Sequence, residues 1–283
     1  MTREHGIAVV QMEWRPAGPP ARERATMAAE SAFEAGADIV VLPELAVPGY
    51  TTDPKILKRY AEPVDGPTTQ LWCKLATAHR GLVIGGFCER AGDSLFNTAV
   101  VVDGSGVILH YRKAHLFGEE RSALSNGDTG FPVVATATAG TIGVCVCYDL
   151  RFVEVVRLLA LQGADLICVP TAWVTGYDAV ADLGLVPQQV TGLLVQANLS
   201  QVFIAAASVA GAGPEHRFLG SSVIADPYGQ LVGGPLSRDS SGIALASIDL
   251  SVAEAARHRS SLVHPRAERR RDLYGLSYQD AEY

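Results

Sequence analysis

A cysteine at the junction of two predicted elements is the first candidate for chemistry. Thr141 to Cys147 is β-branched, small and apolar, which predicts a buried strand. From Phe152 to Gln162 the apolar residues crowd one side of a helical pattern. A thiol beside a helix N-terminus meets unpaired N–H groups and the positive end of the helix dipole, which favour the thiolate. We therefore interpret Cys147 as a nucleophile, although most free cysteines are buried small hydrophobic residues.

Three charged residues could serve that nucleophile. Glu44 follows Leu42-Pro43, where the chain leaves a predicted buried strand, and a carboxylate there is either paired or functional. Lys113 ends a predicted hairpin, and Glu120 follows it in the next loop. Glu44 and Lys113 could also form a purely structural ion pair. His115 is interpreted as a packed loop histidine, although a cysteine with a histidine also suggests a papain-like dyad. The remaining cysteines are interpreted as structural: Cys73, Cys88, Cys145 and Cys168.

The elements that must position these residues form an internal repeat. Gly36 to Pro43 reads GADIVVLP and Gly163 to Pro170 reads GADLICVP, each directly after an amphipathic helix. The strand Gly6–Met12 matches Thr141–Cys147 in the same way. Strands that alternate with helices predict parallel pairing, and two such units would bury the bare faces of their sheets against each other. The predicted fold is therefore α/β, a four-layer α-β-β-α sandwich built from two pseudo-repeats.

The ends of the predicted strands determine which side chains can meet. In open α/β sheets, functional groups gather beyond the carboxyl ends of the strands. Cys147 ends the first strand of the second copy, and Glu44 follows the second strand of the first copy. Both can therefore reach the same rim. Residues 1–283 are predicted to form a single domain in which 264–283 is a polar C-terminal arm.

Composition excludes several classes of partner. The net charge of −7 argues against nucleic acid, because phosphate binding needs a basic face. The first apolar run is too short for a membrane span or a signal-peptide core. Five cysteines without disulfide-framework spacing suit a reducing compartment, so a cytoplasmic location is expected. The seven histidines lack metal-ligand spacing, and we expect neither a metal nor another cofactor.

Three motifs in their order along the chain carry a resemblance to a known family. They are Leu42-Pro43-Glu44, Tyr111-Arg112-Lys113-Ala114-His115-Leu116 and Cys147-Tyr148-Asp149-Leu150-Arg151-Phe152. Weaker matches include Asn97-Thr98-Ala99 and Asp226-Pro227-Tyr228-Gly229. On these residues the chain resembles the nitrilase superfamily of carbon–nitrogen hydrolases. Three separate motifs at fitting separations are a specific signal.

The resemblance implies a Glu-Lys-Cys triad of Glu44, Lys113 and Cys147, with Glu120 as the second glutamate found in many members. Cys147 would attack an amide carbonyl and form a thioester, while Glu44 moves the protons. Lys113 and the backbone N–H of Tyr148 would stabilise the oxyanion. Members of the family tend to form homodimers or larger homo-oligomers, often extended by C-terminal tails.

The residues after the cysteine bear on the substrate. By the resemblance, Tyr148-Asp149 favours an amide over a nitrile, and the short segment between Lys113 and Gly127 is similar to that of compact aliphatic amidases. A small aliphatic amide, hydrolysed to a carboxylate and ammonia, is the preferred substrate class. The alternatives are an N-carbamoyl amine or amino acid, a nitrile, and a non-catalytic scaffold or binding protein of the same fold.

Aromatic residues with a polar tip are the expected walls of the substrate pocket: Tyr50, Tyr148 and Trp173. Asp178 and Asp182, on the loop after Trp173, could attract an amine at the far end of the substrate. The chain also departs from the family. Many relatives carry Arg-Ala-x-Glu-Asn where this sequence has Gln196-Ala197-Asn198-Leu199-Ser200, which makes transfer of a relative's substrate unsafe.

Overall fold

The structure is a computed structural model that describes residues 4–137, 139–176, 186–214 and 216–283. Its strands, in chain order, are β1 Glu4–Glu13, β2 Ile39–Val41, β3 Leu82–Ala91, β4 Ser94–Asp103, β5 Gly106–Arg112, β6 Val133–Thr136, β7 Gly140–Val144, β8 Leu166–Pro170, β9 Phe203–Ala207, β10 Val209–Ala210, β11 Val223–Ala225, β12 Leu231–Gly233, β13 Gly242–Asp249, β14 Ser277–Tyr278 and β15 Ala281–Glu282. The helices are α1 Pro20–Glu34, α2 Pro54–Tyr60, α3 Pro67–His79, α4 Glu120–Ala123, α5 Val153–Leu161, α6 Gln188–Ser200 and α7 Ser251–Arg257.

The strands form two main sheets with matching centres. The first has the order β10-β1-β2-β3-β4-β5, with β13 also paired antiparallel to β1, and the second has the order β12-β11-β9-β8-β7-β6. In the first sheet β1, β2 and β3 run parallel, and in the second β7, β8 and β9 do so. Because β13 is the last strand of the main fold and pairs with β1, it ties the end of the second half to the first sheet.

The internal repeat is visible in individual hydrogen bonds. The Asp38 N–H donates to the carbonyl oxygen of Gly6 at 2.7 Å, and the Asp165 N–H donates to that of Thr141 at 2.8 Å. In return, the Gly6 N–H donates to Asp38 Oδ2 at 2.9 Å and the Thr141 N–H donates to Asp165 Oδ2 at 3.1 Å. The aspartate of each copy therefore ties its second strand to its first strand in the same way.

The layers follow from strands that are apolar on both faces. Ile7 and Val9 of β1 point into the core between the sheets, whereas Ala8 and Val10 pack under α1 and α3. On the other side, α5 and α6 cover the second sheet. The predicted four-layer α-β-β-α sandwich is confirmed, and the alternation explains why these strands read as continuous apolar runs.

Helix boundaries follow their local sequence. Pro20 and Pro67 occupy the first turns of α1 and α3, where the missing N–H is not needed. Gly36 and Gly163, with φ of 102° and 103°, follow α1 and α5 in the left-handed conformation that glycine favours. One predicted boundary was wrong: β7 ends at Val144, and Cys147 begins a 3-10 helix that ends at Arg151.

The C-terminal segment 264–283 contacts helices of the same chain. Arg266 donates to the carbonyl oxygens of Ala160 at 2.8 Å and Ser200 at 2.6 Å, near the C-terminal ends of α5 and α6. Such cations stabilise the unpaired carbonyls at a helix end. That this segment also reaches a partner subunit stays a prediction. No helix in the described part of the chain has both the length and the apolar character needed to cross a membrane.

Candidate functional site

Three polar side chains from distant segments meet at one sheet rim. Glu44 lies just after β2, Lys113 directly follows β5 and Glu120 begins α4; all three are almost completely buried. The backbone of β3 passes very close to Glu44 at Gly86. A Cβ atom at this position would come within 2.9 Å of the Glu44 Cα atom, so a larger residue would displace the glutamate. Glycine at this position therefore lets β3 pass directly beside the glutamate.

Lys113 links the two glutamates. Its Nζ donates to Glu44 Oε1 at 2.7 Å and to Glu120 Oε2 and Oε1 at 2.8 and 3.0 Å. Asn97 makes a second link, since its Nδ2 donates to Glu44 Oε1 at 2.8 Å and to Glu120 Oε1 at 3.1 Å. Glu120 Oε2 also accepts from the Phe117 N–H at 2.8 Å. These charge-assisted hydrogen bonds fix the orientation of both carboxylates.

Burial and mutual charge set the protonation of this cluster. Burial, together with the charge of Glu120, raises the pKa of Glu44 from 4.5 to about 7, although Lys113 acts in the opposite direction. Burial alone would lower the pKa of Lys113, but the charges of Glu120 and Glu44 outweigh it and hold that pKa well above its usual value. A carboxylate that titrates near neutral pH beside a permanent cation is suited to accept and return a proton.

Cys147 occupies a strained turn at the same rim. Its φ of 47° is in the left-handed region, which non-glycine residues rarely adopt and which is often found at functional sites. The turn is held by the fully buried Asp149, whose Oδ2 accepts from the Val146 N–H at 2.9 Å and from the Tyr111 hydroxyl at 2.7 Å. Asp149 Oδ1 accepts from the backbone N–H of His115 at 3.0 Å, which joins the cysteine turn to the segment that carries Lys113.

The protonation of Cys147 differs from the sequence prediction. Burial and the nearby charge of Glu44 raise the pKa of the thiol, while Lys113, the Thr171 hydroxyl and the Ala172 N–H act to lower it. The expected thiolate is therefore wrong for the free protein, because burial and the Glu44 carboxylate favour the protonated thiol. The Glu44 carboxylate lies beside this thiol and could accept its proton.

The free oxygen of Glu44 has no hydrogen-bond partner. Glu44 Oε2 is buried and unpaired. The Cys147 thiol acts on the same carboxylate and favours its charged form. A buried acceptor without a donor is costly unless a ligand, water or proton satisfies it. The proton of the Cys147 thiol is therefore a candidate to satisfy this oxygen.

His115 makes contacts typical of a packed loop residue. Its Nδ1 lies 2.8 Å from Asp149 Oδ1, and its ring stacks on Phe152 with a centroid separation of 3.7 Å. The interpretation of a structural histidine agrees with this position. In the described ranges, no group of three or more His, Cys, Asp or Glu side chains is arranged to hold a metal ion.

A small pocket of about 80 Å³ opens beside Cys147. Tyr148 and Trp173 line it together with Phe117, as the sequence suggested for the first two. Tyr50 does not line this pocket. It is buried and lines a separate pocket with Trp14 and His216, and burial and the charges of Glu120 and Glu44 hold its pKa well above the usual value. Asp178 and Asp182 lie outside the described residues.

Three residues of the site escaped sequence reasoning: Asn97, Asp149 and Thr171. Asn97 belongs to a motif that was noted only as a weak match, and Asp149 was used to choose the substrate but given no structural task. Thr171 had a clearer signal, because it follows Pro170 in the second copy as Glu44 follows Pro43 in the first. The two copies meet here, since the Glu44 N–H donates to the Thr171 carbonyl oxygen at 3.4 Å.

Comparison with known proteins supports one family. The model of the carbon–nitrogen hydrolase family matches residues 6–258. The chain is 34% identical over 233 residues to 2-oxoglutaramate amidase of Bacillus subtilis, covering 80% of this chain and 83% of that protein. It is 32% identical over 247 residues to a protein named nitrilase from Pyrococcus abyssi, covering 86% and 89% of the two chains.

Solved structures give the same result. An amidase from Nesterenkonia sp. superposes with a TM-score of 0.77 at 26% identity, covering 96% of both chains. Nit3 of Saccharomyces cerevisiae, a member of the nitrilase superfamily, superposes with a TM-score of 0.80 at 26% identity, covering 93% of this chain and 97% of that one. The resemblance inferred from the motifs is confirmed. The chain belongs to the carbon–nitrogen hydrolase family of the nitrilase superfamily, with amidase-type hydrolases among its relatives.

Proposed function

We propose that this hydrolase acts on a small aliphatic amide and releases a carboxylate and ammonia, with Cys147 as the nucleophile. The observation that carries the proposal is the Cys147 thiol in its strained turn, beside the unpaired oxygen of a Glu44 carboxylate whose other oxygen is fixed by Lys113. A thiol, a base and a cation in one buried cluster match the needs of acyl transfer.

The first half of the reaction forms a thioester. As Cys147 Sγ attacks the amide carbonyl carbon, its proton passes to Glu44 Oε2, and the carbonyl oxygen becomes an oxyanion. The Lys113 ammonium and the backbone N–H of Tyr148 would stabilise that oxyanion, a task commonly worth about 2.7–4 kcal/mol for one donor. Glu44 then gives its proton to the nitrogen, the C–N bond breaks and ammonia leaves.

The second half regenerates the thiol. Glu44, again a carboxylate, takes a proton from water as the water oxygen attacks the thioester carbonyl carbon. The C–S bond breaks, the carboxylic acid forms and the sulfur recovers its proton from Glu44. Glu120 and Asn97 do not exchange protons in this scheme. They hold Lys113 and Glu44 in place by the hydrogen bonds described above.

The relatives favour an amide among the alternatives, and the size of the pocket favours a small substrate. About 80 Å³ bounded by Phe117, Tyr148 and Trp173 accommodates a short apolar chain. Relatives bear amidase names, including 2-oxoglutaramate amidase and a chloroplastic omega-amidase of Arabidopsis thaliana, although two are named nitrilase or probable nitrilase. An N-carbamoyl compound or a nitrile would use the same nucleophile. The intact cluster argues against a purely structural protein.

A substrate panel tests the proposal. Ammonia release would be measured with acetamide, butyramide, an N-carbamoyl amine and a short aliphatic nitrile, using wild type and Cys147→Ala. We expect butyramide to be hydrolysed fastest and Cys147→Ala to be inactive but folded. Hydroxylamine should trap the acyl group as a hydroxamate. Hydrolysis of the amide by Cys147→Ala, or no turnover of any compound by wild type, would refute the proposal.

We also propose that the chain self-associates through the outer face of α5 and α6. Val153 on α5 and Val195 and Leu199 on α6 are 65%, 51% and 56% exposed, which is unusual for large apolar side chains on covering helices. A two-fold interface would bury the same patch on both subunits. Light scattering should give at least a dimer for wild type and a smaller species for Val195→Glu. A monomeric wild type would exclude self-association.

A further inference from the structure

A second cavity, of about 580 Å³, lies between the C-terminal end of α6 and the C-terminal segment, and it shares no described lining residue with the pocket beside Cys147. Three half-buried guanidinium groups line it: Arg157 of α5, Arg259 just after α7 and Arg269 of the C-terminal segment. Among the described residues that line this cavity, none has an acidic side chain. The cavity therefore presents positive charge in a chain whose net charge is −7.

The three arginines are held in place by bonds that use few of their donors. Each donates through Nη2 to backbone oxygens: Arg157 to Leu199 at 2.7 Å, Arg259 to Asn198 at 3.3 Å and Pro227 at 3.4 Å, and Arg269 to Tyr283 at 2.9 Å. The Arg259 guanidinium also lies over the Tyr228 ring, 4.6 Å from its centroid. Because a guanidinium group carries several N–H donors in a planar fork, most donors of each group remain for a ligand.

The positive charge of this cluster is not balanced within the described ranges. No aspartate or glutamate there forms an ion pair with any of the three arginines. The C-terminal end of α6 supplies the equivalent of about half a negative charge, which is too little for three guanidinium groups. Burial and the charge of Arg269 lower the pKa of Arg157, so the arginines also repel one another.

We propose that this cavity binds a divalent oxyanion, a phosphate group, between the guanidinium groups of Arg157, Arg259 and Arg269. Guanidinium forks match the oxygens of phosphate in bidentate hydrogen bonds. Two negative charges offset the repulsion among the arginines, whereas chloride or a single carboxylate offsets less of it. The cavity is larger than a phosphate ion, so the phosphate group of a small molecule also fits. Binding here is independent of the amide hydrolysis proposed above.

Titration calorimetry of wild type with inorganic phosphate, glycerol 3-phosphate and acetate tests the site, with sodium chloride used to match ionic strength. We expect both phosphates to bind with a dissociation constant below about 1 mM, and acetate to bind at least about tenfold more weakly. Tighter binding of glycerol 3-phosphate would assign the site to a phosphorylated small molecule, and equal binding would assign it to the free anion. Both phosphates should also raise the Tm.

Substitutions of the lining arginines locate the binding. Arg157→Gln and Arg259→Gln should each weaken phosphate binding about tenfold or more, because each removes a charge and a fork of donors. Arg157→Lys keeps the charge but not the fork, so its loss should be smaller. Arg59→Gln is the matched control, since Arg59 is exposed on α2 and does not line the cavity. Its affinity for phosphate should equal that of wild type.

Two results would overturn the proposal. One is the absence of phosphate binding to wild type at about 10 mM, ten times the expected upper limit of the dissociation constant; an acidic side chain of a second subunit seated in the cavity would give this result. The other is unchanged phosphate affinity in the arginine variants. Circular dichroism in phosphate-free buffer establishes that each variant is folded. If a glutamine variant fails to fold, Arg157→Lys, which keeps a cation at the end of α6, decides the outcome.

Discussion

Replacing Glu44 by glutamine should make folding stability less sensitive to pH. Glutamine keeps an oxygen for Lys113 and Asn97 and puts an NH₂ group where the unpaired Oε2 lies. The substitution therefore changes one ionisation and little else in shape. Because burial raises the folded-state pKa of Glu44 above its unfolded value, the wild type binds this proton more tightly when folded. Wild-type stability is thus fully present below the unfolded pKa and is lost as the pH rises through the folded pKa.

The size of the effect follows from the two pKa values. With 4.5 in the unfolded chain and about 7 in the folded protein, ionising Glu44 costs about 1 kcal/mol at pH 5 and about 3 kcal/mol at pH 8. Glu44→Gln has no such cost. Relative to wild type, the variant should therefore gain about 2 kcal/mol in free energy of unfolding between pH 5 and pH 8.

Urea unfolding of both proteins at several pH values between 5 and 8 measures this gain. Glu119→Gln serves as the control, since it removes an exposed carboxylate beside Glu120 and should change the unfolding free energy little at either pH. Amidase activity should fall about 10²–10⁴-fold in Glu44→Gln, because the base is lost. A difference between wild type and variant that stays constant from pH 5 to pH 8 would refute the argument that burial governs Glu44.

Substitutions at three other positions test the surrounding network. Lys113→Met should lower kcat/KM about 10²–10³-fold and destabilise the fold by about 3–5 kcal/mol in urea unfolding, because Glu44 and Glu120 lose their shared cation; a fully active variant would contradict this. Asn97→Leu should lower activity about tenfold or more in the ammonia assay, since both carboxylates lose a donor; Asn97→Asp should not restore it. Although burial opposes ionisation, hydrogen-bond donors lower the pKa of Glu89 to about 2. Glu89→Gln should therefore cost about 3 kcal/mol at pH 7 and about 1 kcal/mol at pH 3, and an equal cost at both pH values would contradict this.

Local pattern was a good guide to the fold because each copy is self-consistent. The layers and the packing of the two copies could be predicted from local features. These are the apolar runs of strand length, the helices with one apolar side and the repeated Gly-Ala-Asp sequence. The pairing of β13 with β1 was not predicted, because the sequence of an antiparallel strand does not indicate which strand it will pair with. The short helix α2 was also missed, since seven residues, Pro54–Tyr60, are too few to show a helical period.

The candidate site was predictable in its members but not in its protonation. The predicted strand ends place Cys147 and Glu44 at one rim, and the family resemblance adds Lys113 to them. The thiolate prediction failed because it used only the local helix end. The charge of Glu44 and the burial of the sulfur come from other segments, and they outweigh that local effect.

The sequence by itself determined the two copies, the strand ends near which Cys147, Glu44 and Lys113 lie, and the family to which the chain belongs. Only the tertiary structure decided that Asn97 holds both carboxylates, that Tyr50 lies outside the pocket and that arginines from three segments line one cavity. The physical reason is that hydrogen bonds and pKa values depend on distance and burial between segments far apart in the chain. Periodicity and local motifs carry no information about these distances.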